Sequence, residues 1–314
     1  MEATALNLIF SLPKSFNQES GYVTIMGKHG NPFCLENDQA YLSWRQVKLN
    51  HAAPSASDLI VNIKNISKPT SNELGAIRKN CKNFNFSFYA TKPTIDKYQL
   101  INFAGMLGLN QAFRSVENFD ANGVTEIKVA ANRESSRYVP YTNKPLSWHT
   151  DGYYSPYQKH IQAFVLHCIC PAESGGMSTF LDPEIVYIRL RDLNPEHISN
   201  LMARDSMSIP ANISGGTVLR PMATGPVFWV RRKVLHMRYT ARKNNIIWKP
   251  DKKLLNAKNA LENILNSKEP KIVSHKMEAG QGVICNNVLH KRDHFTDNKY
   301  RRLVYRARFL SRIS

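Results

Sequence analysis

Residues 146–154 read LSWHTDGYY. An apolar approach leads into a histidine and an aspartate two positions apart, and a glycine follows. On an extended segment residues i and i+2 point to the same face, so His149 and Asp151 present an imidazole and a carboxylate side by side. Such a pair is either two ligands of one metal ion or an accident of composition. With 10 His and 24 Asp+Glu among 314 residues, roughly one His-x-Asp/Glu pair arises by luck. The pair therefore needs a third ligand, and a reason for a metal, before it means more than a polar strand end.

Composition narrows the class of protein. A chain of 314 residues can bury a large core, and its 42% hydrophobic and 21% charged content fits a soluble globular protein rather than a disordered one. The first twenty residues lack the basic flank and small-residue cleavage site of a secretory signal, and no apolar run is long enough to form a membrane span. Five cysteines (Cys34, Cys81, Cys168, Cys170 and Cys285) are few and odd in number, which suits reduced thiols and a cytoplasmic location. Cys168 and Cys170 sit in the apolar run AFVLHCIC with no second Cys pair, so they read as buried strand thiols rather than half a zinc site. The net charge of +18 fits attraction to nucleic acid, to an anionic membrane or acidic partner, or solubility alone. The densest basic groups, RRKVLHMRYTARK and KRDHFTDNKYRRLVYRAR, interleave with apolar residues at strand spacing. No zinc finger, RNP-like aromatic motif or heptad zipper accompanies them, which disfavours nucleic acid.

Along the chain, ALNLIF, GYVTIM and AYLSWRQVKL have the texture of short strands, and DLIVNIKNI is strand-like by β-branched content. Thr70-x-x-Glu73 is a capping box that opens a helix. FNFSFYA alternates as a strand, and a second helix follows with Thr94 as its cap. From about residue 124 many short strands appear, interrupted by helices near residues 183–191 and 251–266. In the latter Leu254, Leu255, Leu261, Ile264 and Leu265 form an apolar stripe. This pattern predicts a mainly β protein with helical additions (α+β), built on a double-stranded β-helix or jelly roll. No boundary divides the chain. Residues 1–314 read as one domain, with 1–120 a strand and helix elaboration and 121–314 the jelly-roll core. No glycine-rich phosphate loop follows a strand, which disfavours a dinucleotide fold.

A jelly roll brings distant strands together, so the third ligand can lie far away in sequence. GQGVICNNVLHKRDHF offers His290 at the end of an apolar strand, whereas His160, His167, His236 and His275 read as packed or lone strand histidines. Two imidazoles and one carboxylate make the facial triad of non-haem Fe(II) oxygenases. Twelve residues beyond His290, RRLVYRARF places Arg302, Val304 and Arg306 on one face of a strand. A buried arginine is costly unless it meets an anion, and its planar fork suits a carboxylate. A dicarboxylate cosubstrate chelating iron at one end needs such a group at the other. Otherwise these arginines cover a solvated sheet face.

WHTDGYY, ESGGMSTFLD and NNVLHKRDHFTDNKYRRLVYR, in that order, resemble the taurine dioxygenase-like (TauD/TfdA) family of Fe(II)/2-oxoglutarate oxygenases over residues 120–312. HIQAFVLHCICPAESGGMSTFLD looks most like the γ-butyrobetaine hydroxylase branch. The resemblance implies His149, Asp151 and His290 as metal ligands and catalytic residues. It implies Arg302 as the anchor for the far carboxylate of 2-oxoglutarate, with Arg306 beside it, and Ser178 as the hydroxyl on the same carboxylate. Thr179 replaces Ser178 if the turn is shifted by one. Two departures stand out: Met177 replaces an acidic residue, and the spacing from His290 to Arg302 is one residue longer than in taurine dioxygenase, which keeps Arg301 as an alternative. The N-terminal third lacks the cysteine-rich zinc module of γ-butyrobetaine hydroxylases, so that substrate does not follow.

The implied reaction consumes O2 and 2-oxoglutarate, releases succinate and CO2, and hydroxylates or desaturates a small-molecule substrate. Related halogenases replace the carboxylate ligand with a small residue, so an intact Asp151 points away from halogenation. For the substrate, Tyr153 and Tyr154 follow the His-x-Asp, and Arg238 and Arg242 share a strand face with Thr240. A cationic strand near iron favours an anionic substrate, while a tyrosine cage would suit a quaternary ammonium group. The sequence leaves a homo-oligomer open. The rival reading is a metal-free basic β-sandwich that binds an anionic partner or nucleic acid without catalysis.

Overall fold

The computed structural model describes residues 30–51, 54–113, 123–130, 138–242, 246–297, 299 and 301–314. The strand-like runs ALNLIF and GYVTIM lie outside these residues. AYLSWRQVKL, strand-like in sequence, belongs to a helix, α1 (Asp38–Asn50). The Asn37 side chain accepts from the Ala40 N–H, Asp38 stands at the positive end, and Lys48 lies in the last turn. Tyr41, Trp44 and Lys48 follow helical spacing, which is the pattern the strand reading overlooks.

Strand β1 (Ile60–Asn62) precedes helix α2 (Ser71–Phe84), whose Thr70–Glu73 capping box forms as the sequence predicts. Strand β2 (Phe86–Ala90) follows Asn85, which ends the helix at φ 63°. Helix α3 (Lys97–Met106) starts from Asp96 rather than Thr94, because the Asp96 carboxylate accepts from the Gln99 N–H and Gln99 closes a second capping box. Next come β3 (Val124–Ile127), β4 (Leu146–His149), β5 (Ala163–Cys170) and β6 (Ser178–Leu181). Helix α4 (Pro183–Leu193) leads into α5 (Pro195–Leu201), which the sequence reading omits although Pro195 and the capping Asn194 announce it. Helix α6 (Lys252–Asn266) is capped by Asp251, and four of the five stripe residues are buried while Leu255 is exposed. Strands β7 (Val273–His275), β8 (Gln281–Cys285), β9 (Leu289–Arg292) and β10 (Leu303–Phe309) complete the frame.

These ten strands form two sheets. The larger has the order β1-β2-β8-β5-β10-β3, and the smaller β7-β6-β9-β4. Every pairing is antiparallel except β1 with β2. Strands from before residue 120 therefore sit in the same sheet as the last strand of the chain, and the architecture is mixed α/β.

Side-chain alternation sorts the layers. Phe86, Phe88, Phe164, Cys168, Val283 and Val304 of the larger sheet pack against Phe180 and Val273 of the smaller. Their chain neighbours Tyr89, Val165, Ile284 and Ala307 face away, toward Ile77 of α2 and Leu100 and Phe103 of α3. On the outer side of the smaller sheet, Leu181 and Leu289 join α4, α5 and α6. Phe88, Phe164 and Phe180 are fully buried, each stabilising the sheet pair by roughly 2–3 kcal/mol. No helix among the described residues is long and apolar enough to cross a membrane.

Candidate metal centre

Strand register brings His290 to His149. In the smaller sheet β9 runs antiparallel to β4, and His290 is the direct partner of His149. Their rings lie 4.1 Å apart. Asp151 follows at the end of β4, and one ligand atom from each of His149, Asp151 and His290 lies within 4.8 Å of the others.

Both imidazoles are oriented by the backbone. Nδ1 of His149 meets the Ser147 carbonyl at 2.8 Å, and Nδ1 of His290 meets the Val288 carbonyl at 3.0 Å. A carbonyl only accepts, so Nδ1 carries the proton and Nε2 is left with a free lone pair. Burial keeps His149 neutral, holding its pKa down to about 3 with the help of the neighbouring His290, and it lowers His290 as well. Asp151 behaves in the opposite way. Burial opposes its ionisation, yet the Arg306 guanidinium, and then that of Arg308, hold the carboxyl at about 2. Its Oδ1 lies 3.5 Å from Nη1 of Arg306, and its buried Oδ2 has no hydrogen-bond partner among the described residues. Two free imidazole nitrogens and an ionised, unpartnered carboxylate oxygen are the donor set that a divalent cation with nitrogen and oxygen preferences requires.

The turn carrying Asp151 is fixed from two sides. Gly152 has φ +68°, and a Cβ there would stand 2.5 Å from Cγ1 of Ile161. Asn287, itself at φ 50°, accepts from the Asp151 N–H at 2.7 Å and donates to the carbonyls of Asp151 (3.0 Å) and Ile161 (2.6 Å). The sequence reading passed over Asn287. An asparagine immediately before an apolar strand was the available signal, since Asn tolerates the left-handed region and bonds backbone. Phe164, 4.6 Å from the His290 ring, and Phe180, stacked at 6.3 Å, close the site from the two sheets.

The cationic residues divide into three groups. Arg302 is buried, its guanidinium 5.1 Å from the Phe295 ring centroid and its Nη1 without a partner among the described residues, while Arg301 is exposed. Arg292 lies 4.8 Å from the same ring and pairs in register with Ser178. Ser178 shares the face of Phe180, whereas Thr179 bonds Ser274 at 3.0 Å on the other face. Arg306 faces Asp151, and Arg308, also absent from the sequence reading, donates to the Tyr154 hydroxyl at 2.7 Å. Arg308 lies two positions beyond Arg306, so strand alternation alone would have put it on the same face.

Arg238 has a different place from the one its strand suggests. It is fully buried and donates to the carbonyls of Met207, Ala223 and Gly225, fastening a small sheet rather than facing the triad. Arg242 is half-buried. Thr240 bridges to His149 across the backbone, and the Tyr153 ring stands edge-on to His149 at 6.4 Å.

Residues 90–308 match the model of the taurine catabolism dioxygenase TauD, TfdA family. The chain belongs to the TauD/TfdA family. It is accordingly an iron- and 2-oxoglutarate-dependent oxygenase, and the donor set described above fits that metal. No curated protein matches the sequence. Among solved structures, AAD-2 in complex with Mn(II) and N-oxalylglycine is similar over 82% of this chain and 96% of its own, at 13% identity and a TM-score of 0.60. An asparagine oxygenase in complex with Fe(II), 2S,3S-3-hydroxyasparagine and succinate is similar over 76% and 78%, at 14% identity and a TM-score of 0.56. A taurine dioxygenase from Burkholderia xenovorans is similar over 78% and 84%, at 15% identity and a TM-score of 0.53. At such identities these likenesses speak to the fold alone.

Proposed function

We propose that this TauD/TfdA oxygenase holds Fe(II) with His149, Asp151 and His290, anchors 2-oxoglutarate with Arg302 and Ser178, and hydroxylates or desaturates a small anionic organic substrate. Succinate and CO2 are the co-products. The observation that carries this reading is the convergence of one ligand atom each from His149, Asp151 and His290 within 4.8 Å, with both Nδ1 atoms tied to backbone carbonyls. In the same reading the two sheets are the walls of a double-stranded β-helix. Residues 1–314 form one domain with its jelly-roll core in 121–314, and the wording of residues 160–182 supports a likeness to the γ-butyrobetaine hydroxylase branch.

Fe(II), when bound, supplies open coordination positions for 2-oxoglutarate and O2 and the oxidising power drawn from cosubstrate decarboxylation. The protein's own residues do the rest. His149 and His290 stay neutral at physiological pH and offer Nε2, because burial suppresses their protonation. Asp151 stays ionised under the field of Arg306 and Arg308. Arg302, a buried cation whose Nη1 has no partner among the described residues, takes the far carboxylate, and Ser178 presents its hydroxyl from the opposite sheet. Phe164 and Phe180 keep water from the triad. Tyr153 stands where a substrate would approach His149.

The test is succinate release, measured with Fe(II), 2-oxoglutarate and O2 across a panel of amino acids, betaines, sulfonates and basic peptides. Compounds with an acidic group should stimulate release. Tight coupling only to compounds without one overturns the anionic assignment.

A further inference from the structure

Among the cations around the triad, Arg308 acts on Asp151 only at a distance and makes no direct ion pair among the described residues. Its side chain is 4% exposed, and its one side-chain hydrogen bond among the described residues runs to the Tyr154 hydroxyl. Its guanidinium lies 5.0 Å from the Phe113 ring centroid, and across the sheet it pairs in register with Phe164, the residue whose ring packs on His290. Arg308 therefore stands on the inner face of the larger sheet, among aromatic groups and within the field that acts on Asp151.

The charges around it do not balance. Arg306 and Arg308 share a single carboxylate, Asp151, and Arg306 makes the direct contact. Fe(II) and a doubly charged cosubstrate cancel one another, so the excess positive charge persists when the site is loaded. A buried guanidinium without an anion is costly, and its planar fork matches a carboxylate with two parallel N–H donors.

Tyr154 is built to hold that fork in place. Arg220 lies over its ring at 5.7 Å and bonds its carbonyl at 3.3 Å, while the ring also packs edge-on against Tyr153 at 5.4 Å. Tyr153 in turn stands against His149. The Arg308–Tyr154 unit thus lies one aromatic ring away from a metal ligand.

We infer that Arg308, positioned by the Tyr154 hydroxyl, is the subsite that binds a carboxylate of the substrate beside the metal centre. This assignment rests on the proposed metal and cosubstrate roles, and it names the residue that selects an acidic substrate.

The probes are butyrate and its neutral counterpart butyramide, titrated anaerobically into protein loaded with Fe(II) and saturating 2-oxoglutarate. Binding is followed by calorimetry and by the visible charge-transfer band of the chelated cosubstrate. Butyrate should bind at least about tenfold more tightly than butyramide. Arg308→Gln should weaken butyrate at least about tenfold while leaving the affinity for 2-oxoglutarate within about twofold. Tyr154→Phe, which keeps the ring and the cation, should weaken it about threefold to tenfold, and it serves as the test should Arg308→Gln fail to fold. Butyrate bound equally well by the Arg308→Gln or Tyr154→Phe protein overturns the subsite, as does butyrate that binds only by displacing 2-oxoglutarate. A parent protein that shows no charge-transfer band at all overturns the cosubstrate reading and the subsite with it; a normal band with no preference for butyrate overturns the subsite alone.

Discussion

Two pairs of packed histidines lie among the described residues, and only one has the donor set that suits a metal. His149 and His290 have ring centroids 4.1 Å apart; His160 and His236 have them 4.7 Å apart. The first pair ties each Nδ1 to a backbone carbonyl and leaves each Nε2 free. The second pair turns its nitrogens on itself. Nδ1 of His160 donates to the Tyr157 carbonyl, and its Nε2 lies 3.1 Å from Nδ1 of His236, which stacks on Trp229. No carboxylate completes that pair in a metal-binding group among the described residues, whereas Asp151 completes the first. Proximity of imidazoles does not make a site. Free lone pairs and a third, charged donor do.

The comparison breaks most visibly under substitution of the ligands. His149→Ala or His290→Ala should abolish Fe(II) binding and turnover, a loss exceeding the roughly 10–100-fold that follows removal of a supporting group. His236→Phe should leave metal binding unchanged, because it keeps the stack on Trp229, and should cost about 1–3 kcal/mol of stability for the unpaired His160 nitrogen. Metal affinity by calorimetry and unfolding by denaturant separate the two. Equal loss of metal in all three proteins would erase the distinction. Asp151→Gly should abolish hydroxylation, and full activity in that variant would make the carboxylate merely structural.

Arg302→Ala should raise the 2-oxoglutarate requirement by about 2–5 kcal/mol, as removal of one partner of a buried charge does, and Arg301→Ala should change little because that side chain is exposed. The reverse order, read from 2-oxoglutarate saturation curves, would shift the anchor by one residue. A smaller effect is expected for Asn287→Ala. It releases the backbone of Asp151 without touching the metal, so Fe(II) affinity should fall by roughly tenfold. An unaltered affinity would deny Asn287 a positioning role.

Much of this was legible in the sequence because strand alternation is a strict rule. His149 and Asp151, the approach to His290, and the buried Arg302 all follow from period-two placement, and β10 obeys it through Arg308. The Thr70–Glu73 box needed only four residues to read. What stayed hidden depends on partners distant in sequence. Helix α1 resembles a strand until Asn37 is recognised as a cap. Arg238 looked like a substrate contact until the carbonyls of Met207, Ala223 and Gly225 were seen around it. Asn287 is one asparagine among many until its side chain meets Asp151, 136 residues away.

A further effect is one of pH. Burial holds His160 at about 4 and His236 at about 2, below the ordinary value near 6.5. The unfolded chain therefore takes up protons first, so the full stability is present above about pH 6.5 and is lost as pH falls toward 4, by up to about 1.4 kcal/mol per pH unit for each histidine. His236→Phe should flatten that slope in urea unfolding between pH 6.5 and 4; an unchanged slope would place the acid sensitivity elsewhere.

The central claim is that His149, Asp151 and His290 hold the iron that chelates 2-oxoglutarate. An anaerobic titration with Fe(II) and 2-oxoglutarate, read by visible absorption, tests it most directly. The parent and His236→Phe proteins should develop a weak charge-transfer band that saturates at one iron per chain, and His290→Ala should develop none. A band of full intensity in the His290→Ala protein, or no band in the parent, would contradict the account.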